Sequence, residues 1–215
     1  MVDRIVYLAN LAKVDGLVYN MWMRVQDDGN RKALPPRERI LLTAHDLFYR
    51  EGVRATGVDR LIAKSSVTKR TFYRQFASKN DLILAFLEFR HENWMTWFVT
   101  RLEAHGGDIN ALCPTLSEWF SSPDFRGCAF INSLSELGGA LPDVVEITKR
   151  HKEEMSEAIE GILPDTQRRK QTALSLALAI DGAIIRAQFD ESPDMALSLL
   201  SSLVLAATTV SMKPH

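Results

Sequence analysis

The sequence predicts an all-α protein of about nine helices, a short three-helix N-terminal module followed by a longer helical module. Three observations carry this. Residues Ile40, Leu41, Ala44, Leu47 and Phe48 fall at i, i+1, i+4, i+7 and i+8, the stripe of an amphipathic helix. The stretch from Val58 to Phe76 reads as two short helices separated by a tight turn, with Leu61, Ile62, Val67, Phe72 and Phe76 as packing positions. Two late segments, around Ala173–Ala187 and Leu197–Val210, are apolar nearly all round.

In chain order, residues 1–34 form an N-terminal extension with a partial helical stripe through Ile5, Leu8, Leu11, Val18, Met21, Trp22 and Val25. It reads either as an extra helix or as a lead preceding a natural start at Met21 or Met23. Arg31, Lys32 and Arg37 form either a basic arm or a solvated linker. Pro35-Pro36 opens the first helix, and Gly52 ends it. Thr56, three residues before Asp59, has the spacing of a cap for the second helix. Ser78 with Asp81 repeats the device for a long fourth helix over roughly 79–104, tracked by Leu82, Phe86, Phe89, Asn93, Trp97 and Leu102.

The short third helix carries more than packing requires. Thr68, Lys69, Arg70, Thr71, Tyr73 and Arg74 bring cations, hydroxyls and one aromatic onto a single turn or two. Lys and Arg neutralise phosphates, while Thr and Tyr hydrogen-bond phosphates or base edges, so this chemistry suits a helix laid on double-stranded DNA. Lys79, at the start of the fourth helix, is placed to hold a phosphate. Thr56 and Arg60 complete the candidate DNA-binding set.

The run GVDRLIAKSSVTKRTFYRQFASKNDL resembles the DNA-binding signature of the TetR family of bacterial transcriptional repressors. Thr71-Phe72-Tyr73 and Ser78-Lys79 stand where that family carries a Thr-aromatic-Tyr core and a following Ser-Lys pair. The likeness covers roughly 37–90. Two positions depart from it: Ser66 stands for the usual Gly of the turn, and Arg70 for a frequent Gly early in the recognition helix. A non-Gly residue at the turn is strained if φ is positive. The resemblance implies residues 35–80 as a helix-turn-helix DNA-binding domain and residues 81–212 as a helical regulatory and dimerisation domain.

Beyond the fourth helix, helices are expected around 109–121, 127–140 and 142–162. Gly127-Cys128-Ala129-Phe130-Ile131-Asn132, followed by Glu136, resembles a motif in the regulatory domain of part of that family. Trp94, Trp97, Trp119, Phe120 and Phe130, with Asn132, Glu136 and His151 as polar groups, form a candidate lining for a small-molecule ligand. Residue by residue, core packing is the commoner role for such aromatics. Eleven of the fifteen residues from Ala173 to Ala187 are apolar, and the last helix is expected to start with Ser192 as cap and Pro193 first. This is more apolar surface than one small core needs, so the two helices are expected to form a homodimer through Leu176, Ile180, Ala183, Ile184, Leu200, Leu203 and Val204.

Charge is divided along the chain. Residues 35–80 hold ten Lys/Arg against four Asp/Glu, net +6, and residues 81–215 hold eleven against nineteen, net −8, within a total of −1. A basic module joined to an acidic one docks one end on nucleic acid. The two cysteines, Cys113 and Cys128, form no metal or disulfide pattern, and His91-Glu92-Asn93-Trp94 is not a zinc-binding HExxH. No cofactor or metal is expected. No signal peptide and no uninterrupted 18-residue apolar run is read, so a cytoplasmic protein with no membrane segment is expected. The leading expectation is a dimeric repressor on a pseudo-palindromic operator, released by a small molecule. Control by a protein partner is the alternative. An enzyme using His151 with Cys128 or Glu136 has no motif to support it.

Overall fold

The computed structural model describes residues 31–211, and among these are nine α-helices, one 3-10 turn and no strand. Helix α1 is Pro36–Glu51, α2 Val58–Ser65, α3 Lys69–Gln75, α4 Lys79–Ala104, α5 Leu112–Phe120, α6 Ala129–Leu137, α7 Pro142–Gly161, α8 Arg169–Phe189 and α9 Asp194–Ser211. The 3-10 turn, Ile109–Ala111, leads into α5. The readings of residues 1–30, extra helix or untranslated lead, fall outside the described residues. The rest divides into two compact units, one of residues 31–94 with 129–149, the other of 95–128 with 150–211. The first unit reaches beyond the basic 35–80 segment and takes in the first half of α4, all of α6 and the start of α7.

The first unit is built on α1. Pro36 starts it at the position where a missing N–H costs nothing. Ile40, Ala44 and Phe48 turn one face inward and are buried with Leu61 of α2, Phe72 of α3, and Leu82 and Phe86 of α4. Gly52 ends α1 at φ +90°, a conformation costly for any residue with a Cβ. The expected Thr56 cap is not the one used. Gly57 precedes α2 without a side-chain cap, and Thr56, fully buried, donates its hydroxyl to Gly52 O at 2.8 Å. The turn geometry places Thr56 Oγ1 against the loop carbonyl rather than against the first N–H groups of α2.

A buried polar relay joins α1 to α4. Arg90 lies over the Tyr49 ring at 4.1 Å and its guanidinium meets His45 Nε2 at 3.2 Å, while His45 Nδ1 faces Asp46 at 3.5 Å. Burial holds the His45 imidazole below its ordinary pKa. The Asp46 hydrogen bond opposes that shift and the Arg90 charge adds to it. The neutral ring therefore accepts from Arg90 at Nε2 and donates from Nδ1.

In the second unit α8 packs along α9, and α5 packs on α9. The Glu118 carboxylate of α5 joins the C-terminal end of α4, accepting from Arg101 at 3.0 Å and from His105 at 2.7 Å. Lys152 of α7 pairs with Asp181 of α8. Gln188 of α8 donates to Arg126 O at 3.0 Å, and it fills the space where a Cβ on Gly127 would stand. Gly127 also sits at φ +79°, so both room and conformation require glycine there. Helix α9 begins one residue later than expected: Ser192 Oγ still accepts from Asp194 N at 3.2 Å, and Pro193 O accepts the first helical N–H, that of Leu197. By length and composition α8 is apolar enough to cross a bilayer, with mean hydropathy 1.3, although no uninterrupted apolar run marks it in the sequence. One such helix is weak evidence of a membrane segment, since a soluble core helix passes the same test.

Candidate nucleic-acid interface

Helix α3 is seven residues long, too short to persist by its own propensity. Two devices hold it. Thr68 caps it, accepting from Thr71 N at 3.1 Å, a bond worth about 1 kcal/mol. Phe72, its one buried residue, drives into the core, packing against Phe76 and Tyr73. The chain reaches α3 through Ser66 at φ +53°, ψ +44°, the left-handed turn conformation. Ser66 is the sole non-glycine residue with positive φ among the described residues. That strain is of order 1 kcal/mol.

With Phe72 inward, the rest of α3 faces out. Lys69, Arg70, Arg74 and Tyr73, the last 44% exposed, project from it, as does Thr68. No hydrogen bond or ion pair among the described residues engages Lys69, Arg70 or Arg74. Lys69 and Arg70 stand in the first turn, where the positive end of the helix dipole disfavours cations. Such a face, without a counter-charge among the described residues, is chemically suited to phosphate.

Three expected contacts sit otherwise. Thr56 is buried and cannot reach a phosphate. Arg60 forms a two-pronged ion pair with Glu51. Lys79 donates from Nζ to Val53 O at 2.6 Å, in the loop between α1 and α2. Burial pushes the Lys79 pKa down, against the raising charge of Glu136. Of the candidate basic arm, Arg31 pairs with Asp46 at 2.6 Å and Arg37 lies over the Phe76 ring at 4.5 Å.

Residues 40–86 match the sequence model of the bacterial regulatory proteins of the tetR family. The helical fold extends the likeness: a TetR-family transcriptional regulator from Streptomyces coelicolor superposes with TM-score 0.75 at 26% identity, over 83% of this chain and 90% of that one. Over residues 40–86 the chain carries the TetR-family module. Two further relatives are regulators. An uncharacterized HTH-type transcriptional regulator of Lactococcus lactis subsp. lactis is 20% identical over 178 residues, 80% of this chain and 84% of that one. The HTH-type transcriptional activator FasR of Mycolicibacterium smegmatis is 36% identical over 70 residues, 30% of this chain and 32% of that one. The TetR family and these relatives are transcriptional regulators, not enzymes, and the TetR-family helix-turn-helix module is the DNA-binding domain of this chain.

The residues expected to line a ligand site separate into two sets. In the unit of 95–128 with 150–211, Trp97, Trp119 and Phe120 come together with Phe125, at centroid separations of 5.1 to 6.3 Å. Thr115 lies one turn before Trp119 on α5, fully buried, and its Oγ1 has no hydrogen-bond partner. Nothing in the sequence singled it out. His151 is buried in the same unit. Trp94, Phe130, Asn132 and Glu136 belong to the other unit. There Phe130 meets His91 edge-on, and the Glu136 carboxylate accepts from Val53 N and Arg54 N.

Most of the expected dimer residues face inward. Leu176, Ile180, Ala183, Ile184, Leu200 and Val204 are buried within their own chain, and of the seven only Leu203 is exposed. The apolar face presented outward is Leu174, Leu178, Ile185 and Phe189 on α8, with Met195, Leu199 and Leu203 on α9. Two residues along a helix is about 200° around it, so a helix apolar on all sides does not reveal which stripe its own core takes.

Proposed function

We propose that this chain is a dimeric repressor whose two α3 helices read a pseudo-palindromic operator, and that a small apolar molecule held by the second unit releases it. The observation that carries the reading is the outward apolar stripe. Leu178 is 75% exposed and Phe189 66%, on a face that continues onto α9. Burying a Leu, Ile or Phe is worth roughly 1.5–3 kcal/mol, so several per subunit, doubled by a two-fold axis, support a stable four-helix interface. Gly182 lies in the same stripe, and a Cβ there would meet nothing within 4 Å among the described residues. The chain's own packing makes no demand for glycine at that point, whereas the close approach of a second helix does.

The Trp97, Trp119, Phe120 and Phe125 cluster, with the unbonded Thr115 hydroxyl on the same helix face as Trp119, supports the ligand half of the reading. A ligand acts only through its differential affinity for the DNA-competent and incompetent states. The test is selection from random duplexes with the full chain. An inverted repeat with half-sites about 34–36 Å apart is the expected product. Recovery of a single unsymmetrical half-site overturns the dimeric reading. A panel of flat aromatic compounds, scored for quenching of tryptophan emission and for release of labelled operator, tests the ligand half; quenching without release rules that half out.

A further inference from the structure

The loop between α1 and α2 is short, and its first peptide groups are held on both sides. Gly52 O accepts from Thr56 Oγ1 at 2.8 Å, and Val53 O accepts from Lys79 Nζ at 2.6 Å. Val53 N and Arg54 N donate to the two oxygens of one carboxylate, at 3.1 and 2.7 Å. That carboxylate belongs to Glu136 on α6, more than eighty residues away in sequence. Two successive backbone N–H groups on an ionised carboxylate are charge-assisted bonds, about twice as strong as neutral ones. The seat is cut to fit: a Cβ on Gly52 would come within 3.1 Å of Glu136 Oε1.

We propose that Glu136 is a positioning residue for DNA recognition, a latch from α6 that seats the α1–α2 loop and so sets the attitude of the α2–α3 pair. Glu136 does not face DNA; it acts through Val53 and Arg54. Lys79 closes the loop from the other side, drawing Val53 O while Glu136 draws Val53 N, so the peptide groups of this loop are gripped at both poles. The loop then hands the chain directly to α2, whose Leu61 and α3's Phe72 complete the core. A shift of α6 by about an ångström breaks both carboxylate bonds, because hydrogen bonds weaken steeply beyond their optimal distance. In chain order Phe125 of the aromatic cluster lies in the loop that leads into α6. Events at that cluster therefore have a covalent route to the latch that does not pass through α4. The inference rests on α3 being the reader of DNA.

The sign of the effect separates a latch from bare charge. Removing a negative group near DNA strengthens binding by electrostatics alone. The latch requires the opposite. Full-length Glu136→Ala and Glu136→Gln are compared with Tyr73→Ala on the selected operator, with backbone amide exchange read at Val53 and Arg54. The expected result for Glu136→Ala is faster exchange at both amides and affinity lower by roughly tenfold, with the slope against salt unchanged. Glu136→Gln keeps one acceptor, folds as the isostere, and falls between. Unchanged or increased affinity in both Glu136 variants overturns the proposal. Weaker binding in both with wild-type affinity in Tyr73→Ala keeps the latch and overturns the assignment of α3 as reader.

Discussion

Helices α3 and α8 both present a face that the described residues leave exposed, and the two faces are opposite in kind. On α3 one residue, Phe72, is buried and the outward face is Lys69, Arg70, Tyr73 and Arg74. On α8 the inward face is Leu176, Ile180, Ala183 and Ile184, and the outward face is Leu174, Leu178, Ile185 and Phe189. A cationic face left open calls for a polyanion, and its attraction is long-ranged and screened by salt. An apolar face left open calls for another apolar face, and its attraction is short-ranged and indifferent to salt. The first suits a partner met by sliding contact; the second suits a partner kept. That division of labour is the one the proposed function requires, a lasting pairing of two copies and a reversible grip on DNA.

The comparison is broken most severely at the apolar face. Leu178→Asp is expected to give a folded monomer by sedimentation, with helicity retained because the side chain is mostly exposed in the chain. Operator affinity should fall by about 10²-fold or more, since the second half-site contact is no longer intramolecular. A dimer that survives this substitution places the interface elsewhere. At the cationic face the effect is smaller and carries a different signature. Arg74→Ala should weaken DNA binding several-fold and lower the salt slope by about 1, with no change in oligomeric state. An unchanged slope removes Arg74 from the phosphate contacts.

The smallest expected effect comes from the His45–Arg90 pair between α1 and α4. His45 is neutral when folded, since burial lowers its pKa, and titrates near its ordinary value of 6.5 when unfolded. Its contribution to stability is complete above that value and is lost as pH falls from 6.5 through the lowered folded value. The melting temperature should therefore drop by a few degrees from about pH 7.5 to about pH 5.5. In His45→Gln, which keeps an acceptor for Arg90 without the titration, the drop should be shallower. Equal drops in the two proteins assign the acid sensitivity to other groups.

The sequence and the structure agree best where chemistry is local. The N-cap at Ser78, the stop at Gly52 and the buried Phe72 amid outward cations all follow from short-range rules about caps, glycine and helical period. Thr56 and Lys79 show what such rules leave out. Both have the composition of a DNA contact, and both bond a carbonyl of the α1–α2 loop, a partner that only the fold brings near. Six of the seven expected dimer residues are buried within their own chain, for a geometric reason. Helix α8 is apolar on both faces, and sequence periodicity is silent when there is no polar side to orient it.

Taken alone, the sequence determines an all-helical chain, the cationic α3 with its cap and anchor, and the two apolar helices at the end. These depend on neighbours within one or two turns. Tertiary structure alone decides which face of α8 is inward, that the Glu136 carboxylate bonds the α1–α2 loop, and that Thr115 is buried with an unbonded hydroxyl. Each depends on which groups meet across tens of residues of chain, and Glu136 meets Val53 and Arg54 only once α6 packs beside the α1–α2 loop.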